Sequence, residues 1–512
     1  MRFTSLTVEL IRARPRLMFW IVALAQCALW VAVPMIAYGS PPGDVAQVLN
    51  FGREYQVGIA AGPPLAFWLA DIAFRLAGGH IIGVYVLAQL CVIAGYWAVF
   101  SLARQIVGPP HAVLAVLLTA TISYFSFSAV AFGPDQLAMP LWALLLLMVW
   151  RVIGQGRRNA WFALSIIAGL LALATSAAGC LLALVVLFAV ATRHGRRALA
   201  SIDPLLALIV IAALALPYLV WQARTGTLVL GWPQMVALQS LPKIRPLLTQ
   251  WGWTLAIVGA GLAGLVILVI ATKLRAGPET DRKAPAIERS GIAPFARRFV
   301  LFFAIVPPLA GTLVAQLRGD SGVVGAGTLL IMAGLAAVVL MGDVVRLRRP
   351  AVLRTVWIAA VAAPAIAVVV VALVHPWTGG RELETSLPAR AIGKFFGENF
   401  ERRTGQPLPL VAGDPQLAML IGMAAPSRPR VLLDATPERT PWLSREDIVQ
   451  KGGVVVWRAT DTVGAPPPEI AARYPGLIAE LPRLFDRLVD GRLPPLRIGW
   501  AILRPAGAPD KP

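Results

Sequence analysis

Charge is scarce in this chain. Only 14% of its 512 residues are Asp, Glu, Lys or Arg, against about 25% in soluble globular proteins. Acids are the scarcer sign, 26 against 46 basic residues, so each carboxylate needs a reason for its place. Cys27, Cys91 and Cys180 all fall inside apolar runs and lack metal-ligand spacing, which excludes a disulfide framework and a cysteine metal site. His80, His111, His194 and His375 stand apart from one another, so neither a metal nor a cofactor is expected. A basic stripe interleaved with aromatics is also missing, and the net charge of +20 therefore does not indicate nucleic acid.

What the chain has in quantity is apolar length. Runs of roughly 18 to 23 residues can each cross about 30 Å of hydrocarbon at 1.5 Å per residue. They recur at about 17–38, 81–103, 111–131, 136–153, 160–176, 178–192, 204–222, 253–272, 299–317, 322–342 and 353–374. These runs predict an α-helical polytopic membrane protein with about eleven transmembrane helices. The first run follows Arg12, Arg14 and Arg16, is too long for a signal peptide, and precedes no small-residue cleavage site. An uncleaved first span is expected.

Basic residues orient the spans, because cytoplasmic loops carry the Lys and Arg excess. With the N-terminus inside, the clusters Arg151/Arg157/Arg158, Arg193/Arg196/Arg197 and Arg346/Arg348/Arg349 all fall on the cytoplasmic side. The outer face then keeps only Arg53, Arg75, Arg224, Lys243, Arg245 and Arg318 before the tail. Reading 64–76 as another span would reverse every later loop, so that segment, with Pro64, Trp68 and Arg75, reads as an interfacial helix. The loop over 39–80 and the C-terminal region are thus expected on the outer face, which in a bacterium is the periplasmic side of the inner membrane.

From about Trp377 charged residues appear throughout. The expected division is a transmembrane domain over 1–376, including the 39–80 loop, and a small soluble α/β domain over 377–512. Within the latter, β-like runs at 409–412, 430–434, 453–457 and 497–503 alternate with helical stretches near 386–402, 415–424, 444–451 and 468–489. Asp414 before Pro415 and Ser444 before Arg445 read as helix caps. Neither a Gly-rich phosphate loop nor a nucleophile elbow is present there.

A carboxylate in lipid costs at least about 2.5 kcal/mol, so acids beside spans must sit at the water boundary. Asp44 follows the first span, and Asp135 lies in Phe132-Gly133-Pro134-Asp135-Gln136. Both are candidates for chemistry, and both also suit a helix N-terminus.

The order of these features resembles a known family. A first span, an acid opening the outer loop (Asp44-Val45-Ala46), Pro63-Pro64-Leu65, a second span ending Ser101-Leu102-Ala103-Arg104, and Gly133-Pro134-Asp135 are similar to bacterial glycosyltransferases of the GT-C superfamily. The nearest groups are the family 39 protein mannosyltransferase-like proteins and the aminoarabinose transferases of lipid A. Ala174-Thr175-Ser176-Ala177 and Pro217-Tyr218-Leu219 through Ala223 add to the match. The resemblance departs where Val45 replaces a second acid and where Ala61-Gly62 precedes the prolines.

That resemblance implies a membrane enzyme that transfers a hexosyl or pentosyl group, with inversion, from a polyprenyl-phosphate-linked sugar donor. The acceptor in the cell envelope would be lipid A or lipopolysaccharide, a glycan or a protein. It implies Asp44 as the base, with Asp135 as the second catalytic acid. Lys243, Arg245 and Arg318 would meet the donor phosphate, and Gln222 and Arg53 the sugar or acceptor. Two rivals remain at this point: a transporter or flippase, and a non-catalytic relative.

Overall fold

The computed structural model describes residues 2–59, 61–225, 244–273, 286–318, 323, 325–347, 349–378, 382–432, 442–459, 461–474 and 476–505. Among them seven helices are long and apolar enough to cross a membrane, or up to nine if each of two bent pairs is one span. This is the multi-pass helical architecture expected. Two of the expected runs form helices below span length, Ala160–Ala174 and Ala326–Leu340, and fifteen residues rise only about 22 Å.

The two bent pairs have local causes. Pro109–Thr119 and Ser123–Val130 meet at 88°, where a straight span over 111–131 was expected. The hydroxyls of Thr121 and Ser126 donate to the carbonyls of Leu118 and Ser123 at 2.7 and 2.6 Å, so the backbone can leave the helix without stranding its acceptors. Ala178–Ala191 and Arg193–Leu199 meet at 107°, and Thr192 caps the second piece through the Gly195 N–H.

By contacts the chain divides into two units. The first comprises Met1–Ala32, Gly62–Ala66 and Val84–Ala367. Its interior helix is Pro134–Gly154, with 83% of its apolar window buried. Small residues let neighbouring helices close up: a Cβ on Gly169 would lie 2.6 Å from Leu214. Gln26, on the first span, donates to the Phe125 carbonyl at 2.7 Å and to Tyr96 at 3.0 Å. A polar group is thus satisfied inside an apolar bundle.

The second unit comprises Val33–Ala61, Phe67–Gly83 and Val368–Pro512. Most of the 39–80 loop therefore groups with the C-terminal region, whereas chain order alone placed it with the spans. Its sheet has the order Arg430–Leu432, Leu410–Gly413, Gly453–Arg458, Leu496–Leu503, Glu480–Phe485. The first three strands are parallel and the last two run antiparallel to their neighbours. Val454, Val455 and Val456 are all fully buried, as a parallel strand covered on both faces requires. Helix Ala389–Thr404 contributes Ile392, Phe396 and Phe400, a single stripe at four-residue spacing.

Four expected strands and three expected helices of this unit are present within a few residues. The helix expected over 468–489 is not: only Pro468–Arg473 is helical, and Glu480–Phe485 is an edge strand. Pro482 has no N–H for a helix interior, and the pairing register shifts between Glu480 and Arg483. An edge strand tolerates both.

Helix Val45–Gly52 of the loop lies against helix Pro415–Ala424 of the C-terminal region. The Asn50 amide donates to the carbonyl of Met419 at 2.8 Å. Gly422 permits this approach, since a Cβ there would collide with Val431 and lie 2.5 Å from Asn50 Oδ1. Gly422→Ala should therefore lower stability by about 1–3 kcal/mol through overpacking. Gly259→Ala, where a Cβ meets nothing within 4 Å, should not. Melting temperatures of the two purified variants check this, and equal values would show that the contact is not tight.

Candidate functional site

In the second unit a cleft of about 500 Å³ opens at the head of helix Val45–Gly52. Asp44, Gln47 and Ser40 line it from the loop, and Glu384, Gln416 and Met419 from the C-terminal region. The loop is held there by its backbone: the N–H groups of Gly39 and Ser40 donate to the Thr385 carbonyl at 2.8 and 3.3 Å. Ser40 also donates its hydroxyl to the Glu384 carbonyl. Gly39 must be small, because a Cβ would sit 2.6 Å from the Leu387 oxygen.

Asp44 occupies the N-cap position but forms no cap bond. Asp414, by contrast, accepts the Leu417 N–H at 3.0 Å, and Ser444 and Asp447 form a reciprocal capping box. Asp44 is exposed, and its carboxylate has no hydrogen-bond partner among the described residues. It sits next to the positive end of a helix dipole and keeps all its acceptor capacity for a ligand. Val45 is fully buried, so the position that carries a second acid in the resembled family points here into the core.

Glu384 supplies a second carboxylate to the same cleft, and it too is exposed. Gln416 is oriented from behind. Its Oε1 accepts from Arg458 at 2.7 Å, which leaves its amide N–H groups as donors. Arg458 also pairs with Glu382, and Arg487 reaches the same carboxylate at 2.6 Å. Burial opposes ionisation of Glu382, but the two guanidiniums outweigh it and hold the carboxyl below its ordinary value.

The remaining expected residues are distributed as follows. Asp135 is exposed near the start of helix Pro134–Val149 in the first unit, behind the N-cap Gly133. Gln222 lies half-buried in the last turn of Asp203–Arg224, also in the first unit. Arg53 is at the other end of the Asp44 helix and lines a separate cavity. Lys243 lies outside the described residues, and so do the side chains of Arg245 and Arg318, whose backbones belong to helices Ile244–Lys273 and Pro294–Arg318. Sequence reasoning missed Glu384 and Gln416, some 340 and 370 residues beyond Asp44 in the chain. Gln47 alone carried a signal, one helical turn from Asp44.

The chain was then compared with known proteins. Residues 61–221 match the family model described as dolichyl-phosphate-mannose-protein mannosyltransferase. That segment begins after Asp44 and covers less than half of the chain. No curated protein matches. Among solved structures, ArnT from Cupriavidus metallidurans in the apo state superposes with a TM-score of 0.50 at 14% identity, over 97% of this chain and 99% of that one. ArnT from the same organism bound to undecaprenyl phosphate gives 0.47 at 14%, with the same coverage. The apo likeness shows a shared fold over nearly the whole length.

The Glu382 pairing gives a signed pH dependence. Its folded value is depressed below the ordinary 4.5, so its contribution is complete above that range and is lost as pH falls through the folded value. Glu382→Gln should cost about 2 kcal/mol at pH 7, and its deficit against the unsubstituted chain should shrink towards pH 3. Melting temperatures across that range check this. A pH-independent deficit would show that Glu382 acts by shape and not by charge.

Proposed function

We propose that this protein is an inverting glycosyltransferase that moves a sugar from a polyprenyl-phosphate donor to an acceptor at the outer face of a bacterial inner membrane. The N-terminus is cytoplasmic in this reading and the second unit periplasmic, following the distribution of basic residues. The matched family model, whose description names a dolichyl-phosphate-linked mannose, supports the donor class. The single observation that carries the reading is Asp44: an exposed carboxylate at the head of a helix, uncommitted to capping, in a cleft of about 500 Å³.

The chemistry follows from that carboxylate. Asp44 takes the proton of the acceptor hydroxyl or amine as its oxygen or nitrogen attacks the anomeric carbon. The bond from that carbon to the phosphate oxygen breaks, and the lipid phosphate leaves with the electron pair. One base on the face opposite the leaving group gives inversion. The leaving phosphate needs no proton, so a second acid is not required for departure. Lys243, Arg245 and Arg318 are proposed to meet its charge, and Asp135 and Gln222 to bind sugar hydroxyls.

Glu384 takes the place left open by Val45. It brings a carboxylate into the cleft from the C-terminal region, where it accepts hydrogen bonds from the acceptor and fixes its approach to Asp44. The acceptor classes that fit are lipid A or lipopolysaccharide, a glycan, or a protein.

A transporter reading needs a carboxylate exposed within the spans. The acid to consider is Asp343, just past the helix Ala333–Leu340. Asp343 is instead paired with Arg289 at 3.1 Å, and Arg289 also donates to the Val338 and Val339 carbonyls. Arg289 thus closes the helix end, and Asp343 balances its charge.

Membranes containing the protein should consume a polyprenyl-phosphate sugar. Asp44→Asn should lower the rate by about 10²–10⁴-fold with expression and melting temperature unchanged, because Asp44 makes no bond that folding needs. Glu384→Gln should raise the acceptor KM more than it lowers kcat. Full activity in Asp44→Asn would remove the assignment of the base. Passage of lipid or solute across proteoliposomes without donor consumption would favour the transporter.

A further inference from the structure

At the C-terminal end of helix Val45–Gly52 the second unit has another cavity, of about 390 Å³, lined by Arg53, Phe74, Arg75, Gly79, Pro426, Ser427 and Arg428. Three of those side chains are guanidiniums drawn from three separate stretches of sequence. Beneath them lies Asp71, which is fully buried. It accepts from Arg75 at 2.6 Å and from Tyr55 at 3.0 Å, and Arg428 lies 2.9 Å from its other oxygen. Phe74 supports Arg428, whose guanidinium stands 4.6 Å from the ring centre.

The charges do not close. Glu54, the other acid in this neighbourhood, is engaged by Arg430 through a two-pronged pair, 2.8 Å on one side. Asp71 balances one of the three lining arginines, which leaves a net of two positive charges on the wall. Arg53 is the one without a carboxylate. Its Nη1 and the Nε of Arg428 are buried and make no hydrogen bond among the described residues. Burial, and then the guanidinium of Arg428, pull Arg53 below its ordinary value; the Glu54 carboxylate opposes them, and Arg430 and Arg75 add smaller downward pulls.

The geometry points to an oxyanion-binding site at this cavity, with Arg53, Arg75 and Arg428 arranged to hold a phosphomonoester group. A phosphomonoester carries about −1.5 to −2 charge at pH 7, which matches the excess on the wall, and its oxygens suit the planar fork of a guanidinium. The site is distinct from the Asp44 cleft and does not rest on the transferase reading. Nine residue steps separate Asp44 from Arg53 across the eight-residue helix, roughly 13 Å along the axis. The phosphate could belong to a lipid head group or to a free phosphorylated molecule, and the two are separable by experiment.

The test uses the detergent-purified full chain and its melting temperature. Inorganic phosphate is titrated against sodium chloride of equal ionic strength, and dioctanoyl phosphatidic acid against dioctanoyl phosphatidylcholine. A saturable rise with at least one phosphate probe is expected, with the apparent Kd weakened at least tenfold in Arg53→Gln and unchanged in Asp44→Asn. Arg75→Gln, at a more exposed arginine, serves as the second variant should Arg53→Gln fold poorly. Saturation by phosphatidic acid at least tenfold below inorganic phosphate assigns the site to a lipid head group, and similar saturation assigns it to a soluble phosphate. The proposal is overturned if neither probe stabilises the chain, if both arginine variants bind as the unsubstituted chain does, or if Asp44→Asn abolishes the effect.

Discussion

A carboxylate withdrawn from water must meet a cation, and the second unit is assembled around that requirement. Glu54 and Asp71 belong to the loop after the first span, while Arg428 and Arg430 belong to the C-terminal region more than 350 residues away. Separating Glu54 from Arg430 would leave a largely buried carboxylate uncompensated, at about 3–5 kcal/mol, whereas Asp71 would still keep Arg75. Asn50 adds a neutral bond between the same two pieces. The cleft at Asp44 has walls from both pieces, so it exists only while those bonds hold.

The same requirement sorts the acids by role. Asp71, Glu54, Glu382 and Asp343 are all paired with arginine, and each holds two segments or closes a helix end. Asp44 and Glu384 share a cleft with no basic residue among the described residues that line it. Both acids are exposed, and neither carboxylate is engaged in an ion pair among the described residues. That contrast separates Asp44 from the helix cap that the sequence equally allowed, because Asp414 and Ser444 in the same unit do make their cap bonds.

Much of this was legible in the chain because membrane helices write themselves locally. Apolar length and the placement of arginine located the spans, and Asp414-Pro415 and Ser444 marked helix starts that the structure reproduces. Asp44 was legible by its position after the first span. The bends at Thr121 and Thr192 were not, because a hydroxyl that frees a carbonyl looks in sequence like any polar interruption of a span. Glu384 and Gln416 were not either, since their relation to Asp44 is made by folding and no spacing records it. Pro482 argued against a helix over 468–489, but only the sheet edge beside Leu496–Leu503 gave it somewhere to go.

Helix Val45–Gly52 joins these strands of argument. Seven of its eight residues are buried, so it is fixed along its length, and its two ends are where the unit meets solvent chemistry. Its N-terminus presents an exposed acid, Asp44. Its C-terminus presents Arg53 among guanidiniums, where the dipole's negative end favours a cation. A helix so enclosed cannot shift at one end without moving the other, since Gly52 already abuts the Phe67 backbone and Asn50 the Met419 carbonyl. An anion that settles against Arg53 therefore stiffens the element that carries Asp44, and any coupling between the two cavities must run through this one rigid helix.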